Sequence, residues 1–289
     1  MAQIDFIIPV RNVDTLHRTL SMLAFQKDHG FRAHVVDLTG SSASSAMVAE
    51  FDTRIPVDVV EVEITGEPLY QQLLAAVPSA EWVCFLSPDV DLTPASVKRM
   101  SRCIDDHDGY DVFHWNLAEP FRKYRLKTRP DKLFTLLYVD GGVAPLSSFV
   151  FRAQALREAF EADPEAACMD LSTVFAGAKK TAIRSARWER IGYTAPAVSD
   201  DPSQVEKDVR ARLSFFQWSE RYFGEEHPLG TGDRLKLYAT ELARLYPSFT
   251  YEELKENLNS FPLVNGPIRK MRAASALKAA LKVRQESLK

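Results

Sequence analysis

The stretch Trp82-Val83-Cys84-Phe85-Leu86-Ser87-Pro88-Asp89-Val90-Asp91-Leu92-Thr93-Pro94 decides how this chain is read. It opens as an uninterrupted apolar run, the pattern of a strand buried on both faces. The run breaks at Ser87-Pro88 and delivers two carboxylates, Asp89 and Asp91, where the strand must end. Thr93-Pro94 then offers an N-cap with proline at the first helical position, and Val97, Met100 and Ile104 keep helical spacing behind it. A buried parallel strand with carboxylates at its C-terminal edge is where open α/β sheets bind ligands.

The residues before this stretch repeat the same unit. Ile4-Asp5-Phe6-Ile7-Ile8-Pro9-Val10 is a buried strand ended by Pro9 and the polar pair Arg11-Asn12; Asp14 can cap a helix carried by Leu16, Leu20 and Leu23. Ala33 to Leu38 is a second strand, with Asp37 near its end and a turn at Thr39-Gly40-Ser41-Ser42. Ser44 to Phe51 reads as a short helix, Val57 to Ile64 as a third strand, and Glu67-Pro68 starts a helix that Pro78 stops. Strand-helix alternation with short connections predicts a mostly parallel central sheet flanked by helices. Every strand would then end on one edge, so Pro9 to Asn12, Asp37 and Asp89 are expected in one cleft.

Bulk properties narrow the function class. A length of 289 residues suits one large domain, or one domain with a helical annex. The chain is 46% hydrophobic and 26% charged, enough apolar material for a sizeable core. A net charge of −3 argues against general nucleic-acid binding. Cys84, Cys103 and Cys168 share no metal-ligand spacing and read as reduced thiols. The chain goes directly into a strand, and no run approaches the roughly 18 apolar residues of a membrane span. A cytoplasmic protein is expected, with attachment to the inner face of the cell membrane left open.

These motifs resemble family 2 glycosyltransferases of the GT-A fold over about residues 4 to 190. That family begins with a strand ending Pro-Val-x-Asn, here Pro9-Val10-Arg11-Asn12, and continues to Val-Val-Asp and Gly-Ser, here Val35-Val36-Asp37 and Gly40-Ser41. Its Asp-x-Asp-like motif has an Asn-Pro-Asp-Val variant that Ser87-Pro88-Asp89-Val90 and Pro94 resemble. The chain departs from the pattern at Leu38, where a second acidic residue is usual, at Gln72, the stand-in for an Ala-Arg-Asn-x-Gly segment, and at Met169, where a glutamate is usual.

The resemblance implies an inverting, metal-assisted transferase that moves a sugar from a nucleotide-diphosphate donor, UDP- or dTDP-linked, to a hydroxyl of a glycan or lipid-linked glycan. Pro9, Val10, Asn12, Asp37, Gln72, Ser87 and Asp89 would then hold the nucleotide. Asp37 at a strand end can accept the N3–H of uracil or thymine, a donor that cytosine lacks; otherwise it closes the Thr39–Ser42 turn. Asp89 would bind Mg²⁺ or Mn²⁺, which beside a diphosphate needs only one or two protein carboxylates. Asp91 either assists the ion or caps the helix near Pro94. An Asp-x-Asp pair alone says little, since Asp106-His107-Asp108 is another at a helix end. Asp170, after the strand Pro145 to Arg152 and the helix Ala153 to Phe160, is the candidate general base, or a helix cap; Asp163 and Glu165 are fallbacks.

Other features stay open. His114 and Asn116 on the strand Asp111 to Asn116 either face the acceptor or pack. Arg122 to Arg129, with five basic residues, is either a loop near phosphates or a solvated surface, and Gly141-Gly142 would permit close backbone approach. Residues 191–289 read as a helical annex: Val205 to Tyr222, Arg234 to Tyr246, and a helix opened by the capping box Thr250-x-x-Glu253. Ile268 to Lys289 carries seven Lys or Arg and one Glu. Its Met271, Ala274, Leu277 and Leu281 make either a lipid-facing basic helix or a solvated terminal one. The oligomeric state is not legible. No Gly-x-Gly-x-x-Gly follows the first strand, which disfavours a dehydrogenase, and no P-loop is present. The competing reading is a GT-A-fold scaffold in glycan assembly that has lost turnover, suggested by Leu38, Gln72 and Met169.

Overall fold

The computed structural model describes residues 1–28, 30–40, 43–60, 68–88, 90–117, 127–128, 145–178, 183–193, 201–261 and 263–287. The chain divides into two compact units, Met1–Pro196 and Ala197–Lys289. The strands of the first unit are β1 (Ile4–Val10), β2 (Phe31–Asp37), β3 (Val57–Val60), β4 (Trp82–Phe85), β5 (Val90–Asp91), β6 (Val112–Leu117), β7 (Lys127–Thr128), β8 (Phe149–Arg152) and β9 (Ile183–Tyr193). The central sheet runs β3-β2-β1-β4-β8-β6-β9, with the short β5 and β7 paired antiparallel to β9. β1 is parallel to both β2 and β4, and β6 is parallel to β9. Within that central run, among the described residues, β8 is the strand that runs against its neighbours, β4 and β6. The fold is thus the mostly parallel sheet that the strand-helix alternation predicts.

Helices cover the sheet as the apolar periodicity dictates, but their starts differ from the sequence expectation. α1 (Val13–Ala24) is capped by Asn12, whose Oδ1 accepts the Asp14 amide at 2.9 Å. Asp14 lies in the first turn instead, where its charge suits the helix dipole. α2 (Ala43–Ala49) and α3 (Leu69–Ala75) follow. α4 (Ser96–Asp105) starts at Ser96 rather than at Pro94, with Ala95 in the capping position and no side-chain cap of its own. Gln26, buried, donates to the Thr93 carbonyl at 2.9 Å and accepts the Val97 amide at 3.2 Å. That single amide side chain ties α4 to the end of α1.

The stretch expected as one strand from Pro145 divides in two. Leu146–Ser148 is a 3-10 turn, and β8 begins only at Phe149. α5 (Ala153–Ala162), a 3-10 segment Pro164–Cys168 and α6 (Asp170–Gly177) lead on to β9. The sheet continues past residue 190: Ile191 is fully buried and pairs with Leu117, so the first unit extends beyond the boundary expected there. His114 is also fully buried, its ring centroid 4.8 Å from that of Phe149, and burial pushes its pKa down to about 3. It packs rather than meeting an acceptor.

The second unit contains α7 (Pro202–Phe223), α8 (Thr231–Leu245), α9 (Tyr251–Asn259) and α10 (Pro267–Ser287). The capping box at Thr250 and Glu253 is formed as the sequence predicts. Phe216, Leu254 and Leu258 are buried, and Tyr238 stacks on Phe261 at 3.8 Å. On α10 the buried residues are Ala273, Ala276, Leu277 and Ala280, while Ile268 and Met271 are exposed. The apolar face is therefore turned from the one expected, and small residues make it because they let helices approach closely. Arg284 donates to the Ala243 and Tyr246 carbonyls at 3.4 and 3.2 Å, closing the end of α8. Among the described residues no helix is long and apolar enough to cross a membrane.

One polar bridge crosses three strands of the sheet. His34 on β2 lies 2.8 Å from Asp5 on β1 through Nε2, and 2.8 Å from Asp58 on β3 through Nδ1, the second a charge contact rather than an aligned hydrogen bond. Burial alone would lower the His34 pKa; the Asp5 hydrogen bond and the Asp58 and Asp5 charges outweigh it and raise the pKa above 6.5. A raised histidine adds stability that is complete below its unfolded pKa and is lost as pH climbs through the folded value. Urea midpoints should therefore fall between pH 6 and pH 9, and His34→Gln should flatten that part of the profile. An unchanged slope in the variant would assign it to other groups.

Candidate active site

Parallel packing of β1, β2 and β4 carries Val10, Asp37 and Phe85 to the same edge of the sheet. Because β8 is reversed, its beginning reaches that edge too, and Pro145 to Ser147 arrive beside the residues that leave β4. A cavity of about 760 Å³ opens there, within the usual size range of small-molecule sites. Pro9, Arg11 and Asn12 line it after β1, and Ser87 and Pro88 after β4. Tyr70 reaches it from α3, Ser147 from the 3-10 turn, and Asp170 from the start of α6.

Local hydrogen bonds fix this wall. The Leu38 amide donates to the Val10 carbonyl at 3.0 Å and the Leu86 amide to the Ile7 carbonyl at 2.9 Å, so β1 holds the chain leaving both of its neighbours. Ser147, almost fully buried, accepts the Ser87 amide on Oγ at 2.9 Å and takes the Cys84 thiol on its carbonyl. The Cys84 thiol is buried and pushed far up by desolvation, which makes it inert packing. Ser172 and Thr173, both fully buried, donate to the Ala166 carbonyl at 2.8 and 3.0 Å. They clamp the 3-10 segment before Asp170 against α6.

Asp170 is the first residue of α6, with Met169 in the capping position, so it does not cap the helix with its side chain. It is exposed toward the cavity and accepts a hydrogen bond on Oδ1 from the Tyr70 hydroxyl. The Tyr70 ring packs edge-on against Phe85, centroids 5.0 Å apart. Burial, followed by the charge of Asp170, drives the Tyr70 pKa far above 10 despite the opposing Arg11, so the phenol stays a donor.

The sequence candidates thus divide. Pro9, Asn12, Ser87 and Asp170, from three distant segments, share the cavity wall. Val10 is buried just behind it. Among the described residues the wall does not include Asp37, Gln72 or Asp91. Asp37 Oδ1 accepts both the amide and the hydroxyl of Thr39 at 2.7 Å, closing the turn at Gly40, whose φ is +70°. Its Oδ2 is buried without an aligned hydrogen bond. Burial alone would raise its pKa; the Thr39 and Ser44 hydroxyls and the Thr39 and Gly40 amides hold it below the ordinary value. Gln72 lies one turn along α3 from Leu69. Asp91 neither caps α4 nor lines the cavity, but pairs with Arg18 of α1 at 2.6 Å. The fallbacks Asp163 and Glu165 flank Pro164 away from the wall.

Asp89, Ser41, Gly141-Gly142 and most of Arg122 to Arg129 lie outside the described residues. Tyr70, Ser147 and Arg11 are wall residues to which sequence reasoning gave no role. The signals were thin: a tyrosine in the first turn after Pro68, a serine before a reversed strand, and the variable position of Pro-Val-x-Asn.

No family model and no curated sequence matches the chain. Solved structures do. S. aureus TarS 1–349 in complex with UDP-GlcNAc superposes with a TM-score of 0.60 at 15% identity, covering 100% of this chain and 91% of that one. The mannosyltransferase PcManGT from Pyrobaculum calidifontis, in complex with GDP-Man and Mn²⁺, superposes with a TM-score of 0.53 at 13% identity, covering 98% and 86%. The chain has the GT-A glycosyltransferase fold. Removing the Ser147 hydroxyl takes the side-chain partner from the half-buried Ser87 amide, a loss on the order of 0.5 to 1.5 kcal/mol for one hydrogen bond. Ser147→Ala should lower stability by about that amount in urea melts, whereas Ser148→Ala, which releases only a local turn bond to Pro145, should cost less.

Proposed function

We propose that this protein is an inverting glycosyltransferase that moves a sugar from a UDP- or dTDP-linked donor to a hydroxyl of a glycan or lipid-linked glycan. The observation that carries the reading is the cavity at the strand ends, where Pro9, Asn12, Ser87 and Asp170 meet on a GT-A fold. The likeness to TarS bound to UDP-GlcNAc and to PcManGT bound to GDP-Man supports a nucleotide-sugar donor.

In this reading the nucleotide lies along the ends of β1 and β2. Asp37, at the end of β2, accepts the N3–H of the base. Pro9, Val10 and Asn12 shape the floor, Ser87 meets the diphosphate side, and Gln72 supports the donor from α3. Asp89 follows Ser87 and Pro88, both in the cavity wall, so it is the carboxylate for Mg²⁺ or Mn²⁺. Such an ion, when bound, neutralises charge that builds on the leaving diphosphate. Asp91, already paired with Arg18, is secondary. Asp170 takes the proton of the acceptor hydroxyl as that oxygen forms the new bond to the sugar carbon and the bond to the diphosphate breaks. A lipid-linked acceptor would suit contact of α10 with an anionic membrane surface through exposed Ile268 and Met271 and the basic residues between them.

Thermal shifts with UDP-, dTDP-, GDP- and CMP-sugars, with and without Mn²⁺, test the reading. A UDP- or dTDP-sugar at about 100 times its Kd should stabilise the protein by about 2.7 kcal/mol. Silence from every nucleotide would favour the turnover-deficient scaffold instead. Asp89→Asn should abolish the Mn²⁺-dependent part of the shift while Asp91→Asn keeps it. Asp170→Asn should bind donor normally yet lose about 10² to 10⁴ in kcat.

A further inference from the structure

We propose that Tyr70 is a positioning residue that holds the Asp170 carboxylate for proton transfer, an inference that rests on Asp170 being the general base. Three observations carry it. The Tyr70 hydroxyl donates to Asp170 Oδ1 across the cavity wall, although the two residues lie on different helices and 100 positions apart. The phenol is itself fixed, since its ring packs edge-on against Phe85, whose ring in turn lies 6.4 Å from that of Phe151 in β8. Both residues line the cavity, together with Arg11, whose positive charge is felt at the phenol.

The chemistry follows from the donor inventory. A phenol that stays protonated can only give its hydrogen to a carboxylate; it cannot compete for the acceptor proton. Its hydrogen bond occupies Oδ1 and restricts rotation of the carboxylate about its last bond. The proton leaving the acceptor hydroxyl goes to the carboxylate so held, and the acceptor electron pair forms the new bond to the sugar carbon as the diphosphate departs. The phenol also favours the charged form of Asp170, which a base must hold before it can act. Placement at the first residue of α6 acts in the same direction, through the helix dipole. Tyr70 touches no reacting atom in this scheme. Its effect passes entirely through Asp170.

Tyr70→Phe removes the hydroxyl and keeps the ring against Phe85. In protein labelled with ¹³C at aspartate carboxyls, the Asp170 titration should move up by about one pH unit in the variant. With the UDP- or dTDP-sugar that most stabilises the wild type, nucleotide release should fall about tenfold in kcat. The donor KM should stay within about twofold, and the acid limb of kcat/KM should move up with the titration. An unmoved titration and acid limb in a folded Phe variant would overturn the proposal. Should that variant fold poorly, replacing Tyr70 by 3-fluorotyrosine, a stronger donor, should move the titration down, and no movement would be equally fatal. Asp170→Asn separates the two claims. If it keeps turnover, the general-base reading fails; if it is inactive while Tyr70→Phe behaves as wild type, only the role of Tyr70 fails.

Discussion

The site depends on β1 being hydrogen-bonded in parallel on both sides. Its pairing with β2 and β4 fixes the direction of three strands at once, and no shift of one residue is tolerated because the sheet is buried on both faces. Ile4, Phe6, Ile7 and Ile8 are essentially inaccessible, so either face of the strand would lose core packing if it slid. The polar residues after Val10 are thereby delivered to the same rim as Ser87. The reversed β8 completes that rim from the other direction, and the Ser147 hydroxyl joins the two runs of chain by a bond to a backbone amide. A parallel strand in that position would have brought its far end here instead.

Much of this was legible in the chain. Continuous apolar runs bounded by polar residues marked the buried strands, and period and spacing marked the helices between them. Strand direction, which the short connections imply, put Pro9 to Asn12, Asp37 and Asp89 at one edge. Pro9 and Asn12 do line the cavity, Asp37 does not, and Asp89 lies outside the described residues; Asp170 was legible only through the family resemblance. What could not be read was long-range polar pairing. Asn12 capping α1 in place of Asp14 is a local choice between two residues that both suit an N-cap. Gln26, by contrast, took capping work from Thr93 with no local signature, since it reaches α4 only because α1 ends beside it. Likewise Asp91 looked like a metal carboxylate by spacing, yet Arg18 on α1 is the group it meets. A carboxylate at a strand end is a candidate by position, and its partner is decided by the neighbouring helix.

The three departures from the family motifs now have physical surroundings. Leu38 uses its amide to extend the β1–β2 pairing, a backbone task that any residue can perform, so the side chain there is free to vary. Met169 supplies the extended residue before α6, and the position it yields is the one from which Asp170 enters the cavity. Gln72 sits on the same short helix as Tyr70. What that helix presents to the cavity is a phenol and Leu69 rather than a cation, and among the described residues the positive group on this wall is Arg11.

The closure of α8 by Arg284 bears on how the second unit can be handled. Two terminal carbonyls of one helix are satisfied by a guanidinium nearly forty positions downstream, on the helix that also supplies Ala273 and Leu277 to the interior. Trimming the tail as if it were a dispensable basic extension would uncap a helix that the cut never touches. Affinity tags and fusions attached at this end should leave every residue through Arg284 in place.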